Sequence, residues 1–389
     1  MQVVDNKRIL FIATNIPTTK RKSNKVVMTI AHKLSESFGV SILHPSEVVP
    51  FPLNLLKKYA NISDSKPWCD DGITVTPFKY MRLPGRRLSF LLLPFFKNKI
   101  KKYLAVGEMP CLTHSHYVMP DGYFSYMMKR QYGIPYVISF RDSDIKFLEL
   151  DDKRKVKKMT IEVLKNADKV VVHNVAHQTF LRLYGIDSEV VSHGIEKSFL
   201  QEKEEMKPKV EITVTVVSGF IKRKNLDWII KAVKSYSGDK CLKLNVIGKG
   251  ELADDLKNLA KDCKNISFLG QMSHDDVGRW LHVSDIFALP SYHETLGLVY
   301  LEAAAKENAV IAMKDTGVWG NYQDGEEMLF CDDYQSFERL LHNLIDDDDK
   351  RISLSEKAFE RTRSEYTWNV SIEKYKKIYE NVSKLSEIQ

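Results

Sequence analysis

Pro290-Ser291-Tyr292-His293-Glu294-Thr295-Leu296-Gly297-Leu298-Val299-Tyr300-Leu301-Glu302-Ala303-Ala304-Ala305 decides how this chain is read. Just before it, Asp285-Ile286-Phe287-Ala288-Leu289 reads as a short buried strand. Glu294 therefore stands at a strand's C-terminal end, and Glu302 lies inside the helix that follows. Open α/β sheets bind ligands at that edge, and a helix start offers N–H groups to a phosphate. The two carboxylates then flank the ligand as acceptors for sugar hydroxyls. The plain alternative is two solvated glutamates on a helix surface.

Working outward, Ser218-Gly219-Phe220-Ile221-Lys222-Arg223-Lys224-Asn225 also follows a strand and opens a helix. Three cations at such a junction make a diphosphate site, combining side-chain charge with helix-start amides. Surface basic clusters are common, so proximity to the glutamate motif is what favours this reading. Val246-Ile247-Gly248-Lys249-Gly250-Glu251 is a strand entering a Gly-x-Gly turn. Alone, that turn is weak evidence for nucleotide binding, because the third glycine is absent.

These segments resemble retaining glycosyltransferases of the GT-B fold, family four (glycosyl transferases group 1). The resemblance rests on Pro290-Ser291, the Glu294/Glu302 spacing, Gly297, Glu302-Ala303 and the basic loop. It is strong from Val214 to Phe330 and looser in the N-terminal half. It implies two Rossmann-like α/β domains with parallel sheets facing an interdomain cleft. It also implies transfer of a hexose from a UDP- or GDP-sugar, with that sugar nucleotide as co-substrate and no required metal.

Residue by residue, the resemblance implies catalytic roles for His116, Glu294 and Lys224. Lys224 stabilises the leaving diphosphate, Glu294 holds the donor sugar's hydroxyls and Glu302 the nucleotide ribose. Gly219 stands where the family usually has arginine, so Arg223 or Lys222 substitutes. Gly248, Gln271, Met272, Thr295, Leu296, Gly297 and Leu298 complete the donor-binding set. His116 comes from Thr113-His114-Ser115-His116, read either as a site segment or as core histidines. His114, Arg141 and Asp144 are acceptor-side candidates. Trp319, in the glycine-rich Asp315-Thr316-Gly317-Val318-Trp319-Gly320, either closes over the sugar or packs. The first loop, 15–25, lacks the family's glycine pair and receives no assignment.

The 389 residues suit two domains. The expected division is 1–200 for an acceptor-binding domain and 201–365 for a donor-binding domain, joined at the charged 201–209 stretch. Residues 366–389 form a helix that the resemblance returns to the first domain. Expected elements in the first half include strands at Arg8–Thr14, Gly39–Leu43, Tyr136–Phe140 and Lys169–His173, with a helix at Val26–Ser37. In the second half they include strands at Val210–Ser218, Leu242–Ile247, Ile266–Leu269, Ile286–Leu289 and Ala309–Met313, with helices at Asn225–Ser237, Leu252–Lys261 and Asp275–Ser284. The run Asp346–Asp349 reads as a solvated helix-end loop, because four adjacent carboxylates repel.

Hydrophobic residues make up 43% and charged residues 28%, an ordinary globular composition. No apolar run reaches the roughly 18–20 residues of a membrane span. The N-terminal stretch lacks a signal peptide's apolar core, and five scattered cysteines read as reduced thiols, which points to the cytoplasm.

Net charge is +7, a modest excess compatible with anionic ligands or surfaces. Between residues 79 and 103, eight Lys and Arg residues without an Asp or Glu flank Leu88-Ser89-Phe90-Leu91-Leu92-Leu93-Pro94-Phe95-Phe96. This pattern fits peripheral contact with the anionic inner face of the cell membrane, or a buried apolar helix with solvated basic ends. No nucleic-acid-binding module is recognisable. The expected setting is bacterial surface polysaccharide biosynthesis with a glycan or lipid-linked acceptor. The rivals are a nucleotide-sugar epimerase or a phosphorylase of the same fold, and a non-catalytic nucleotide-sugar-binding subunit.

Overall fold

A computed structural model describes residues 7–18, 25–48, 66–81, 100–101, 103–104, 109–151, 154–203 and 210–387. The basic stretch anticipated at a membrane falls, from 82 to 99, outside the described residues, as do Lys20, Arg21 and Lys22 of the first loop. Among the described residues no helix is long and apolar enough to cross a membrane.

The chain forms two compact units. The first contains a sheet of β1 (Arg8–Ile12), β2 (Gly39–Val48), β3 (Trp68–Asp70), β4 (Ile73–Met81), β5 (Leu112–Ser115), β6 (Tyr136–Ser139), β7 (Lys169–Val172) and β8 (Glu189–Val190). Their spatial order is β3-β4-β2-β1-β5-β6-β7-β8, parallel except for the β3/β4 pair. The second unit contains β9 (Glu211–Val217), β10 (Cys241–Ile247), β11 (Ile266–Gly270), β12 (Ile286–Ala288), β13 (Ala309–Met313) and β14 (Leu329–Cys331). These run parallel in the order β11-β10-β9-β12-β13-β14.

Every residue of β5, β6, β12 and β13 is buried. Strands covered on both faces carry near-continuous apolar runs rather than alternation, which is why most of them were legible. The expected elements shift at their ends: β1 stops at Ile12, the first helix at Ser35, and β2 continues to Val48. The β3–β4 hairpin and β14 were not anticipated. The hairpin had a local signal in Asp71-Gly72, whose φ values of 45° and 84° match the left-handed pair of a two-residue turn.

The expected division at 200/201 also moves. The first unit runs through His173, resumes at Gln178–Val191 and returns from Ile372, while Asn174–His177 and Ser192–Ser371 form the second. Backbone pairing explains the shift. Ile195 N–H donates to the Tyr366 carbonyl (2.9 Å), and Trp368 N–H donates to the Ile195 carbonyl (3.0 Å). A Cβ on Gly194 would lie 2.2 Å from the Trp368 backbone nitrogen, so only glycine permits this approach.

The terminal helix Trp368–Glu387 packs within the first unit from Ile372 on, its Tyr379 buried beside His114. The acidic run is not a simple solvated loop. Asp347 caps the helix Asp348–Glu365 by accepting from Lys350 N–H, and Asp348 bonds Lys240 and Arg351. Carboxylates are favourable at a helix start.

Candidate active site

In the second sheet the chain builds outward from β9 to β11, then returns to place β12 on the other side of β9. This reversal is a topological switch point at the C-terminal ends of β9 and β12, the usual ligand position in such sheets. The segment after β9 is the basic loop, and the segment after β12 carries Glu294. Residues 70 apart in sequence meet there because the strand order makes their strands neighbours.

Glu294 Oε1 accepts from Ser291 Oγ (2.8 Å), Arg223 Nη1 (3.0 Å) and Lys224 Nζ. Its backbone is also held: Glu294 N–H donates to Thr316 Oγ1 (2.7 Å), and its carbonyl accepts from Gly317 N–H (3.0 Å). The side chain is 12% exposed, and all three side-chain donors converge on Oε1. Among the described residues, Oε2 accepts no hydrogen bond. Burial pushes Lys224 below its ordinary range, while the Glu294 carboxylate pulls it back up.

Arg223 does more than supply charge. Its Nη1 also reaches the carbonyls of Tyr292 (3.2 Å) and His293 (3.1 Å), where His293 sits at φ 57°. Asn225 Nδ2 donates to the Pro290 carbonyl (2.8 Å). Thr295 accepts at its carbonyl from Asn174 Nδ2 (2.6 Å), and Leu296 is buried. The helix Leu298–Ala304 begins just after Gly297, and its first N–H groups have no intrahelical acceptor. Asn174 and Thr316 were missed by sequence reasoning, and neither carries a local signal.

The Gly-x-Gly turn has a structural cause of its own. A Cβ on Gly248, at φ 141°, would lie 1.8 Å from the Ser218 carbonyl oxygen, and one on Gly250 would lie 2.4 Å from that of Phe220. The two glycines let the β10 loop press against the basic loop. Gly219 is different: its Cβ would meet nothing closer than the Lys249 carbonyl at 3.9 Å.

Gln271 is exposed and Met272 half-buried just after β11. Two residues on, His274 opens the helix His274–His282, and its Nε2 lies 3.1 Å from Glu302 Oε1. Glu302 thus faces His274, a partner that sequence reasoning did not name. Trp319 packs edge-on against Phe330, with centroids 4.9 Å apart.

The first sheet has its own reversal between β1 and β5. Thr14, after β1, donates from its backbone N–H to Asp121 Oδ2 (3.0 Å) and from its hydroxyl to Oδ1. Asn15 Nδ2 donates to Tyr117 Oη (3.1 Å). The glycine-free first loop is therefore held by side chains, with Asp121, which carries no local sequence signal for this role, as its anchor.

His114 and His116 correct an expectation. Both are fully buried. His114 bonds Tyr379 Oη through Nδ1 (2.5 Å) and Ser139 Oγ through Nε2 (2.9 Å), and burial lowers its pKa to about 3. The His116 ring packs 4.7 Å from that of Phe11, and its carbonyl accepts from Arg141 Nε (2.9 Å). Neither ring offers surface to a substrate in this conformation. Arg141 and Asp144 are also buried, with Asp144 accepting from the N–H groups of Arg141 (3.0 Å) and Val118 (3.2 Å).

Burial raises Asp121 to about 8 and Asp144 to about 7. A carboxyl whose folded pKa is raised favours folding at low pH and loses that contribution as pH climbs towards the folded value. Wild-type stability measured against Asp121→Asn should therefore fall between about pH 4 and 8. Urea melts across that range check this; a flat difference contradicts it.

Residues 198–361 match the family model of glycosyl transferases group 1. An uncharacterized glycosyltransferase of Methanocaldococcus jannaschii is 25% identical over 312 residues, covering 77% of this chain and 82% of that one. A lipopolysaccharide core biosynthesis glycosyltransferase of Rhizobium meliloti is 32% identical over 146 residues, 36% of this chain and 42% of that protein. Among solved structures, Anabaena HepE, in complex with UDP and glucose, superposes with a TM-score of 0.67 at 12% identity, over 97% of this chain and 100% of that one. The match to glycosyl transferases group 1 thus falls within the second unit, and the fold of the whole chain is that of GT-B glycosyltransferase structures.

Proposed function

We propose that the chain moves a hexose from a UDP- or GDP-sugar, with retention at the anomeric carbon, to a glycan or lipid-linked acceptor in bacterial surface polysaccharide assembly. The observation that carries this reading is Glu294 at the switch point, with Oε1 saturated by Ser291, Arg223 and Lys224. A carboxylate so held offers Oε2 to a sugar hydroxyl, beside cations suited to a diphosphate. The HepE complex with UDP and glucose and the Rhizobium meliloti relative support the substrate class and the pathway.

In this reading the sugar's C1–O bond to the diphosphate breaks, and negative charge builds on the leaving phosphate. Lys224 Nζ bonds Glu294, so an ammonium with three donors retains two for that charge. Arg223 adds a second cation, and no metal is needed. Glu302 accepts from the ribose, and Gln271 and Met272 border the base. Given their burial, His116, His114, Arg141 and Asp144 shape the first unit's switch point rather than touch substrate.

The test is a thermal-shift screen of UDP- and GDP-sugars, because a ligand at a hundredfold its Kd stabilises by about 2.7 kcal/mol. Turnover with the best donor should persist in EDTA, and NMR of the product should show the donor's anomeric configuration. No shift with any sugar nucleotide overturns the reading. Interconversion of sugar nucleotides without an acceptor would instead mark an epimerase.

A further inference from the structure

His274 lies 28 residues before Glu302 and reaches its carboxylate, 3.1 Å from Nε2 to Oε1. The two side chains differ in exposure: 63% for His274 and 14% for Glu302. The imidazole ring is itself held. It packs 4.8 Å from the Phe199 ring, over which Lys306 Nζ sits at 4.5 Å. Gly278, in the same helix, leaves room for Phe199, since a Cβ there would come within 3.0 Å of it. Ser273 Oγ accepts from Asp276 N–H, which fixes the helix start that carries His274. Among the described residues, His274 is the one hydrogen-bond partner of the Glu302 carboxylate.

We propose that His274 is a positioning residue, holding the Glu302 carboxylate so that its remaining lone pairs accept from the vicinal hydroxyls of a ribonucleotide. This rests on the nucleotide-sugar reading above. A carboxylate on a flexible two-methylene arm has several rotamers, and an N–H donor on one oxygen selects the rotamer that presents the other. His274 never contacts the ligand in this account. Its effect passes through Glu302, and it is selective for the sugar of the nucleotide, not its phosphates.

The experiment measures calorimetric affinity of the full chain for UDP and GDP, each against its 2′,3′-dideoxy analogue. Wild type should prefer the ribonucleotide by about tenfold or more. His274→Ala should lose most of that preference while binding the dideoxy analogue unchanged. His274→Gln, which keeps an N–H donor, should restore much of it, and the melting temperatures of all three proteins should agree closely. Equal weakening of both analogues, or a preference retained in His274→Ala, overturns the proposal and leaves the functional reading standing. Wild-type binding without ribose preference removes the role of Glu302 and this proposal together. Failure of wild type to bind either diphosphate overturns the functional reading itself.

Discussion

Lys224→Ala should lower kcat/KM for sugar transfer by about 10²- to 10³-fold, the usual loss when one preorganised donor to developing charge is removed. The geometry explains why the effect falls on catalysis rather than folding. Lys224 is 13% exposed and bonds Glu294, which keeps Arg223 and Ser291 when the lysine is lost. Glu294 is therefore not left as an uncompensated buried charge, the case that destabilises strongly.

Burial also lowers the Lys224 pKa, so the ammonium is poorly solvated before any ligand arrives. A diphosphate then gains more from it than from a fully hydrated lysine. Arg223→Ala should cost less in kcat and more in KM, because Arg223 is exposed and spends its Nη1 on the 292–294 turn. Steady-state kinetics with parallel melts separate these outcomes. A Lys224→Ala enzyme within threefold of wild type would remove the lysine from the chemistry.

Gly248→Ala should destabilise the second unit by about 4 kcal/mol or more, the range reserved for severe steric or strain effects. At φ 141° an L side chain is strained, and the added Cβ would stand 1.8 Å from a carbonyl oxygen of the chain's own backbone. Backbone cannot swing aside like a side-chain tip, and this carbonyl belongs to Ser218, whose N–H is held by Ile247 (3.0 Å). Relief would require the basic loop to move, so donor affinity should fall with stability.

Gly219→Ala is the control: its Cβ has open space, its φ is not positive, and the change should be within about 0.5 kcal/mol. Urea denaturation followed by second-unit tryptophan fluorescence checks both. Equal midpoints for the two variants would contradict the close approach.

Much of the second unit could be read locally. Its strands are apolar runs because both sheet faces are covered, and its helices carry an apolar stripe. Glu294, Lys224 and the basic loop were legible because they follow directly on such strands. The hairpin turn at Asp71-Gly72 had a readable signal that went unread. The histidines misled: His-x-His at a strand end suits a substrate face, yet the terminal helix supplies Tyr379 and turns His114 into a core residue. The Gly-x-Gly turn pointed to nucleotide, while its glycines answer first to a neighbouring backbone.

What the sequence determined by itself was the inventory: alternating strands and helices, a cationic loop, and two glutamates at a spacing that survives in the fold. Strand order decided the rest. It set β9 beside β12, so that Lys224 and Arg223 meet Glu294, and β1 beside β5, so that Asp121 holds Thr14. It is also the tertiary structure that pairs His274 with Glu302 and joins Ile195 to the 366–368 backbone. Local sequence encodes dihedral preference and burial pattern within a few residues. Contacts between residues 28, 70 or 107 apart depend on which crossover the whole chain adopts, and no short window of sequence contains that information.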